Sequence, residues 1–119
     1  MNYTEQELAK AEQLVPRTTF NDFNNNLNKK VMIDVRQSEE LEASGSIQDA
    51  LNIPKGVIEF QLSNHDEIDQ ETCVYLFCAA GVRSALAGLN LTKIGYTKVF
   101  NLGGFQDILD QGAIINKNL

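Results

Sequence analysis

Short apolar runs alternating with helical patterns predict an α/β fold, a small parallel five-stranded sheet flanked by helices on both faces. Three observations carry that expectation. Val31-Met32-Ile33-Asp34-Val35 and Cys73-Val74-Tyr75-Leu76-Phe77 are almost continuously apolar, as strands covered on both faces are. Each strand signal is separated from the next by a helical stretch, which calls for right-handed crossovers between parallel strands. The chain has 119 residues, 43% hydrophobic and 22% charged, which suits one globular domain over 1–119 and excludes a disordered chain.

Residues 1–30 read as an N-terminal helical segment packed on the rest. Thr4 is a candidate N-cap with Glu7 three residues on, before Leu8, Ala11 and Leu14, and Pro16 closes this helix. Thr18 or Thr19 starts a second short helix through Phe20, Phe23 and Leu27. After the strand at Val31–Val35, Ser38 caps an acidic turn that ends near Gly45. Ala50–Ile53 is a short strand stopped by Pro54, and Gly56–Ser63 reads as loop and helical turn. Cys73–Phe77 is the strongest strand signal, with Cys78 at its carboxyl end. Ser84 opens a helix whose Leu86, Leu89 and Ile94 point inward and whose end is capped by Gly95. Lys98–Leu102 is the last strand, followed by Gly103-Gly104 and a helix through Ile108 and Leu109.

Charge and cysteine content exclude several classes. Ten Lys+Arg against sixteen Asp+Glu give a net charge of −6, and no segment is rich in basic residues, so a nucleic-acid partner is not expected. The polar N-terminus and the lack of a long apolar run give no reason to expect a membrane segment. Five extended steps would set Cys73 and Cys78 roughly 16 Å apart, too far for a disulfide. Two free thiols fit a reducing compartment, and the expected location is the cytoplasm. No Cys/His cluster suits zinc, and neither a metal nor an organic cofactor is called for. His65, the only histidine, reads as a surface residue, and Cys73 as a buried, inert thiol.

The segment that carries chemistry is Cys78-Ala79-Ala80-Gly81-Val82-Arg83-Ser84. It joins a buried strand to a helix N-terminus, where open α/β sheets bind ligands. Ala79, Ala80 and Gly81 carry little side chain, so their N–H groups can curl inward into an anion nest, aided by the helix dipole and by Arg83. An ordinary thiol with pKa near 8.5 is only about 3% thiolate at pH 7; such a nest favours the thiolate. The residues therefore point to a nucleophilic cysteine with a built-in anion site. Two chemistries fit them: phosphoryl transfer through a cysteinyl phosphate, or sulfur transfer through a persulfide.

From about Val31 to about Ile108 the sequence resembles the rhodanese family of single-domain sulfurtransferases. Ile33-Asp34-Val35-Arg36 with Glu39-Glu40 is similar to the first family motif, and Gly45–Pro54 to the second. Cys78–Ser84 is similar to the active-site loop, and Leu102-Gly103-Gly104 to the segment after the last strand. The resemblance implies Cys78 as persulfide carrier, with the N–H groups of Ala79, Ala80, Gly81, Val82, Arg83 and Ser84 cradling the outer sulfur. Arg83 would balance its charge, and Asp34 and Arg36 would support the mouth. Four residues separate Cys78 from Arg83, the sulfurtransferase spacing, where the related phosphatases have five. Donors would be thiosulfate or a persulfide, and acceptors a thiol, cyanide or a protein partner.

The departures are Ser46 in place of the usual His, Asp49 in place of a small residue, Leu41 for an aromatic and Ile108 for a Trp. The uncharged Ala79-Ala80 and the acidic surface point away from thiosulfate as the natural donor. A non-catalytic binding or sulfur-sensing module is the alternative reading, with a phosphatase or arsenate reductase behind it.

Overall fold

The computed structural model describes residues 1–116. Its elements are α1 (Tyr3–Leu14), α2 (Phe20–Asn25), β1 (Lys30–Asp34), α3 (Ser38–Ser44), β2 (Ser46–Ile47), β3 (Ala50–Asn52), α4 (Ile58–Ser63), β4 (Cys73–Cys78), α5 (Val82–Lys93), β5 (Val99–Gly104), α6 (Phe105–Asp110) and β6 (Ile115–Asn116). A single 3-10 turn, Lys55–Val57, leads into α4.

Four parallel strands form the sheet in the order β3-β1-β4-β5. All six residues of β4 are buried, as its unbroken apolar run demands. Val74, Leu76 and Cys78 point to one face, against Ile58 and Leu62 of α4 and Ala87 and Leu91 of α5. Cys73, Tyr75 and Phe77 point to the other, against Phe23 of α2 and Ile108 of α6. On the outer side of α5, Ala85 and Leu89 meet Ala11 and Leu8 of α1.

The expected five-stranded sheet is corrected to four. The fifth place, beside β5, holds a single bridge between Arg17 and Asn101. Asn101 N–H donates to Pro16 O at 2.9 Å and Thr18 N–H to Asn101 O at 3.0 Å. Pro16 has no N–H of its own, so the ladder cannot extend back through it. A separate antiparallel pair, β2 with β6, is absent from the strands that the sequence pattern predicts.

Several local boundaries also move. The cap of α1 is Asn2, whose Oδ1 accepts from Glu5 N–H at 2.8 Å, rather than Thr4. Glu7 is instead buried between Lys10 and Lys93, at 3.1 and 2.8 Å, and ties α1 to α5. Gln37, not Ser38, is the N-cap residue of α3. Ile94, expected to point inward, is exposed, as are Leu14 and Leu27 of the N-terminal helical segment. For Leu27 the reason is that α2 ends at Asn25. Among the described residues no helix is long and apolar enough to cross a membrane.

One irregularity positions the site. Leu76 pairs with Asn101 but Phe77 pairs with Gly103, so Leu102 is an extra residue in β5. Such a bulge bends its strand and re-aims the residues beyond it. Here it sets Gly104 opposite Cys78.

Candidate active site

Cys78 ends β4, and Gly81 turns the chain into α5 two residues before the expected start at Ser84. Gly81 has φ +98, a left-handed backbone that side chains resist. That turn brings Gly81 N–H back onto Cys78 Sγ at 3.0 Å. Ser84 Oγ lies 3.5 Å from the same sulfur. Cys78 and Ser84 are buried, while Ala79, Ala80 and Val82 line the outer surface of the loop.

Burial pushes the Cys78 thiol up, but hydrogen bonds from Ser84, from its hydroxyl and its N–H, and from the N–H groups of Ala80 and Gly81 outweigh it. The net result is a pKa below that of an ordinary cysteine. The nest therefore favours negative charge on sulfur.

Asn101, which sequence reasoning passed over, organises this loop. Its Nδ2 donates to Gly81 O at 3.0 Å, while its Oδ1 accepts from Ser84 Oγ at 2.7 Å and Gly103 N–H at 2.9 Å. Ser84 has one hydroxyl proton. Beside a thiol that proton stays on Asn101; beside a thiolate it can turn to Sγ, because Gly103 N–H still satisfies Asn101 Oδ1. The available signal was an asparagine inside an otherwise apolar strand, directly before Leu102-Gly103-Gly104.

Arg83 does not hang free over the sulfur. Its Nη1 and Nη2 donate to Glu40 Oε1 and Oε2 at 2.6 and 2.8 Å. Hydrogen bonding to Arg83 holds Glu40 down to about 2, although burial opposes it. Glu40 in turn raises Arg83, and the nearby Cys78 adds to the effect.

Asp34 and Arg36 lie one strand away and form a buried support. Arg36 Nε donates to Asp34 Oδ1 at 3.0 Å and Nη2 to Oδ2 at 2.8 Å. The same guanidinium reaches Ser44 Oγ at 2.7 Å and Gly45 O at 3.0 Å, anchoring the end of α3. Asn52 Nδ2 bonds Asp34 O and Arg36 O, fixing the turn between them. None of these side-chain bonds reaches Sγ. A cavity of about 490 Å³ lies at the amino end of β1 among Lys30, Asp49 and Thr72, away from Cys78.

The rhodanese-like domain family matches residues 19–111, which includes the loop, the bulge and the Asp34–Arg36 support. This chain belongs to the rhodanese-like family. Over 76 residues this rhodanese-like chain is 36% identical to the thiosulfate sulfurtransferase PspE of Escherichia coli K12, covering 64% of this chain and 71% of that one. The human single-domain sulfurtransferase TSTD1 is similar in structure, with TM-score 0.69, 26% identity and 82% and 97% of the two chains covered. A Rhodopseudomonas palustris protein of unknown function, named a possible tyrosine phosphatase, superposes with TM-score 0.81 and 25% identity over 98% and 96% of the chains.

The bulge gives this rhodanese-like chain a sensitive point. A Cβ on Gly104 would stand 2.7 Å from Ala79 O and 3.3 Å from Ala80 Cα, both backbone. Gly104→Ala must therefore push the loop. Expected are a loss of about 1–3 kcal/mol of stability and a rise in the pH midpoint of Cys78 alkylation, as the Ala80 and Gly81 N–H groups withdraw from Sγ. An unchanged midpoint in an iodoacetamide pH series would refute the role given to the loop.

Proposed function

We propose that this chain is a sulfurtransferase carrying sulfane sulfur on Cys78. The observation that carries the reading is the Cys78 sulfur facing the N–H groups of its own loop, with Gly81 N–H at 3.0 Å. In the loading step the Cys78 thiolate attacks the outer sulfur of the donor. A new S–S bond forms to Cys78 while the donor's S–S bond breaks, and its electron pair leaves on sulfite, from thiosulfate, or on a thiolate, from a persulfide. In the second step a thiol, cyanide or a protein acceptor takes the outer sulfur and the Cys78 thiolate returns.

Within this scheme the N–H groups from Ala79 to Ser84 hold the terminal sulfur, Arg83 offsets its charge, and Asp34 and Arg36 hold the surrounding frame. Four loop residues between Cys78 and Arg83 make a cradle sized for one sulfur rather than for a phosphate with three oxygens, which disfavours a phosphatase. Two free buried thiols suit a reducing, cytoplasmic compartment.

Incubation with a persulfide donor is expected to add the mass of one sulfur, mapped by peptide analysis to Cys78 and removed by cyanide. The loading rate rises with pH through a midpoint below that of a free cysteine. Loading without discharge to any acceptor would indicate a sulfur-sensing module; no loading from any donor would defeat both readings.

A further inference from the structure

Glu40 occupies a place that a carrier of small anions would leave free. Its two oxygens take both terminal nitrogens of Arg83, the loop's only charged side chain. The carboxylate is not a loose surface acid. Gln37 N–H donates to its Oε1 at 3.0 Å, and the far end of α3 is pinned by Arg36 through Ser44 and Gly45. Ser44 passes the restraint on by donating to Glu40 O at 2.9 Å. The neighbouring arginine, Arg36, is itself spent on Asp34. With Cys78 as thiolate, its charge and those of Glu40, Asp34, Arg36 and Arg83 sum to one unit negative, and Arg17 and Asp107, which flank the loop together at Gly103, offset each other.

We propose that Glu40 is the specificity-determining residue for the sulfur donor, selecting a persulfide carried on a thiol over a small dianion such as thiosulfate. The proposal rests on the sulfurtransferase reading above. A dianion can reach Sγ only against this field or by taking Arg83 away from Glu40. A thiol-borne persulfide brings no more than one negative charge to the reacting sulfur, and its leaving thiolate needs no second cation. One unit of charge a few ångströms away at a partly exposed site changes such a rate on the order of tenfold.

The test uses Glu40→Gln, which keeps shape and whose one amide oxygen, in the place of Oε1, can accept from both Gln37 N–H and Arg83 Nη1, while the contact to Nη2 is lost. Loading of the full chain is followed by intact mass with two donors, thiosulfate and cysteine persulfide. The expected result is a rise of about tenfold in the thiosulfate loading rate, with the persulfide rate changed by less than about threefold. Glu39→Gln, an exposed neighbour bearing the same charge change, is expected to alter neither rate by more than about twofold. In wild type, added salt should speed thiosulfate loading relative to persulfide loading, a readout that needs no variant. The proposal is overturned if the ratio of the two rates is unchanged in Glu40→Gln, if both rates fall together, or if Glu39→Gln has the same effect. Wild type that loads from neither donor would instead overturn the sulfurtransferase reading itself.

Discussion

Cys78→Ser is expected to abolish sulfur loading and to leave the fold standing. The substituted oxygen occupies nearly the same place, so Gly81 N–H, 3.0 Å from the sulfur in the native protein, keeps an acceptor. A buried hydroxyl with a partner in hand costs little, about 1 kcal/mol or less. What is lost is the nucleophile. A serine hydroxyl does not ionise near neutral pH, and the loop alone cannot make it do so. Cys73→Ser should give the opposite pair of results. Cys73 lies at the other end of β4, on the opposite face of the sheet, among Phe23, Met32 and Tyr75. Its replacement puts a polar group into that apolar cluster, at about 1–3 kcal/mol, and leaves loading intact. Intact mass after persulfide treatment and urea midpoints for the two variants read both outcomes. Equal loading of Cys78→Ser and wild type would end the assignment.

That contrast was legible in the sequence because strand alternation alone separates Cys73 from Cys78, and because small residues after Cys78 announce a turn. Local chemistry reads well along the chain: Thr19 does cap α2, accepting from Asp22 N–H at 3.1 Å, and Gly45 does end α3. Partners distant in sequence do not. Glu40 reads as one more acid on an acidic helix until the fold brings it to Arg83, 43 residues on. Asn101 reads as a tolerated polar residue until the bulge at Leu102 turns Gly103 N–H onto its side chain. The two-residue strands β2 and β6 are too short to show periodicity, and they meet only because Ile47 and Ile115 face each other across the fold. The fifth strand has no run of its own in the sequence, which offers four, and beside β5 the structure places only the segment around Pro16. Val15 is buried as a strand residue would be, but Pro16 limits the pairing to one bridge. Helix caps shift for a similar reason, since Glu7 is claimed by two lysines on its buried side and leaves Asn2 and Glu5 to close the start of α1.

Asp34→Ala is expected to cost more stability than either cysteine replacement or Gly104→Ala, about 3–5 kcal/mol. Asp34 and Arg36 are 1% and 2% exposed, so the ion pair between them has almost no water to fall back on. Asp34 Oδ1 also accepts from Arg36 N–H at 3.0 Å, which makes the carboxylate a partner of both the backbone and the guanidinium. Without it the guanidinium retains Ser44 Oγ, Gly45 O and the face of Phe105, whose ring centre is 4.2 Å from Cζ. Those contacts leave Nε unpaired and a full positive charge uncompensated in the interior. A domain of this size has only about 5–15 kcal/mol in total, so the loss is a large fraction. It corresponds to a fall in Tm of roughly 10–20 °C. Asp34→Asn keeps an acceptor and should fall between the alanine variant and wild type. The double change Asp34→Ala with Arg36→Met removes both charges and should be less damaging than Asp34→Ala alone, since the stranded guanidinium is the main cost. A loss under about 1 kcal/mol for Asp34→Ala, or strict additivity in the double variant, would show that the pair does not bear the weight assigned to it. Because Arg36 also pins Ser44 beneath Glu40, the Asp34→Ala variant should loosen the hold on Arg83 even where the protein remains folded, which links the buried support to the chemistry at Cys78.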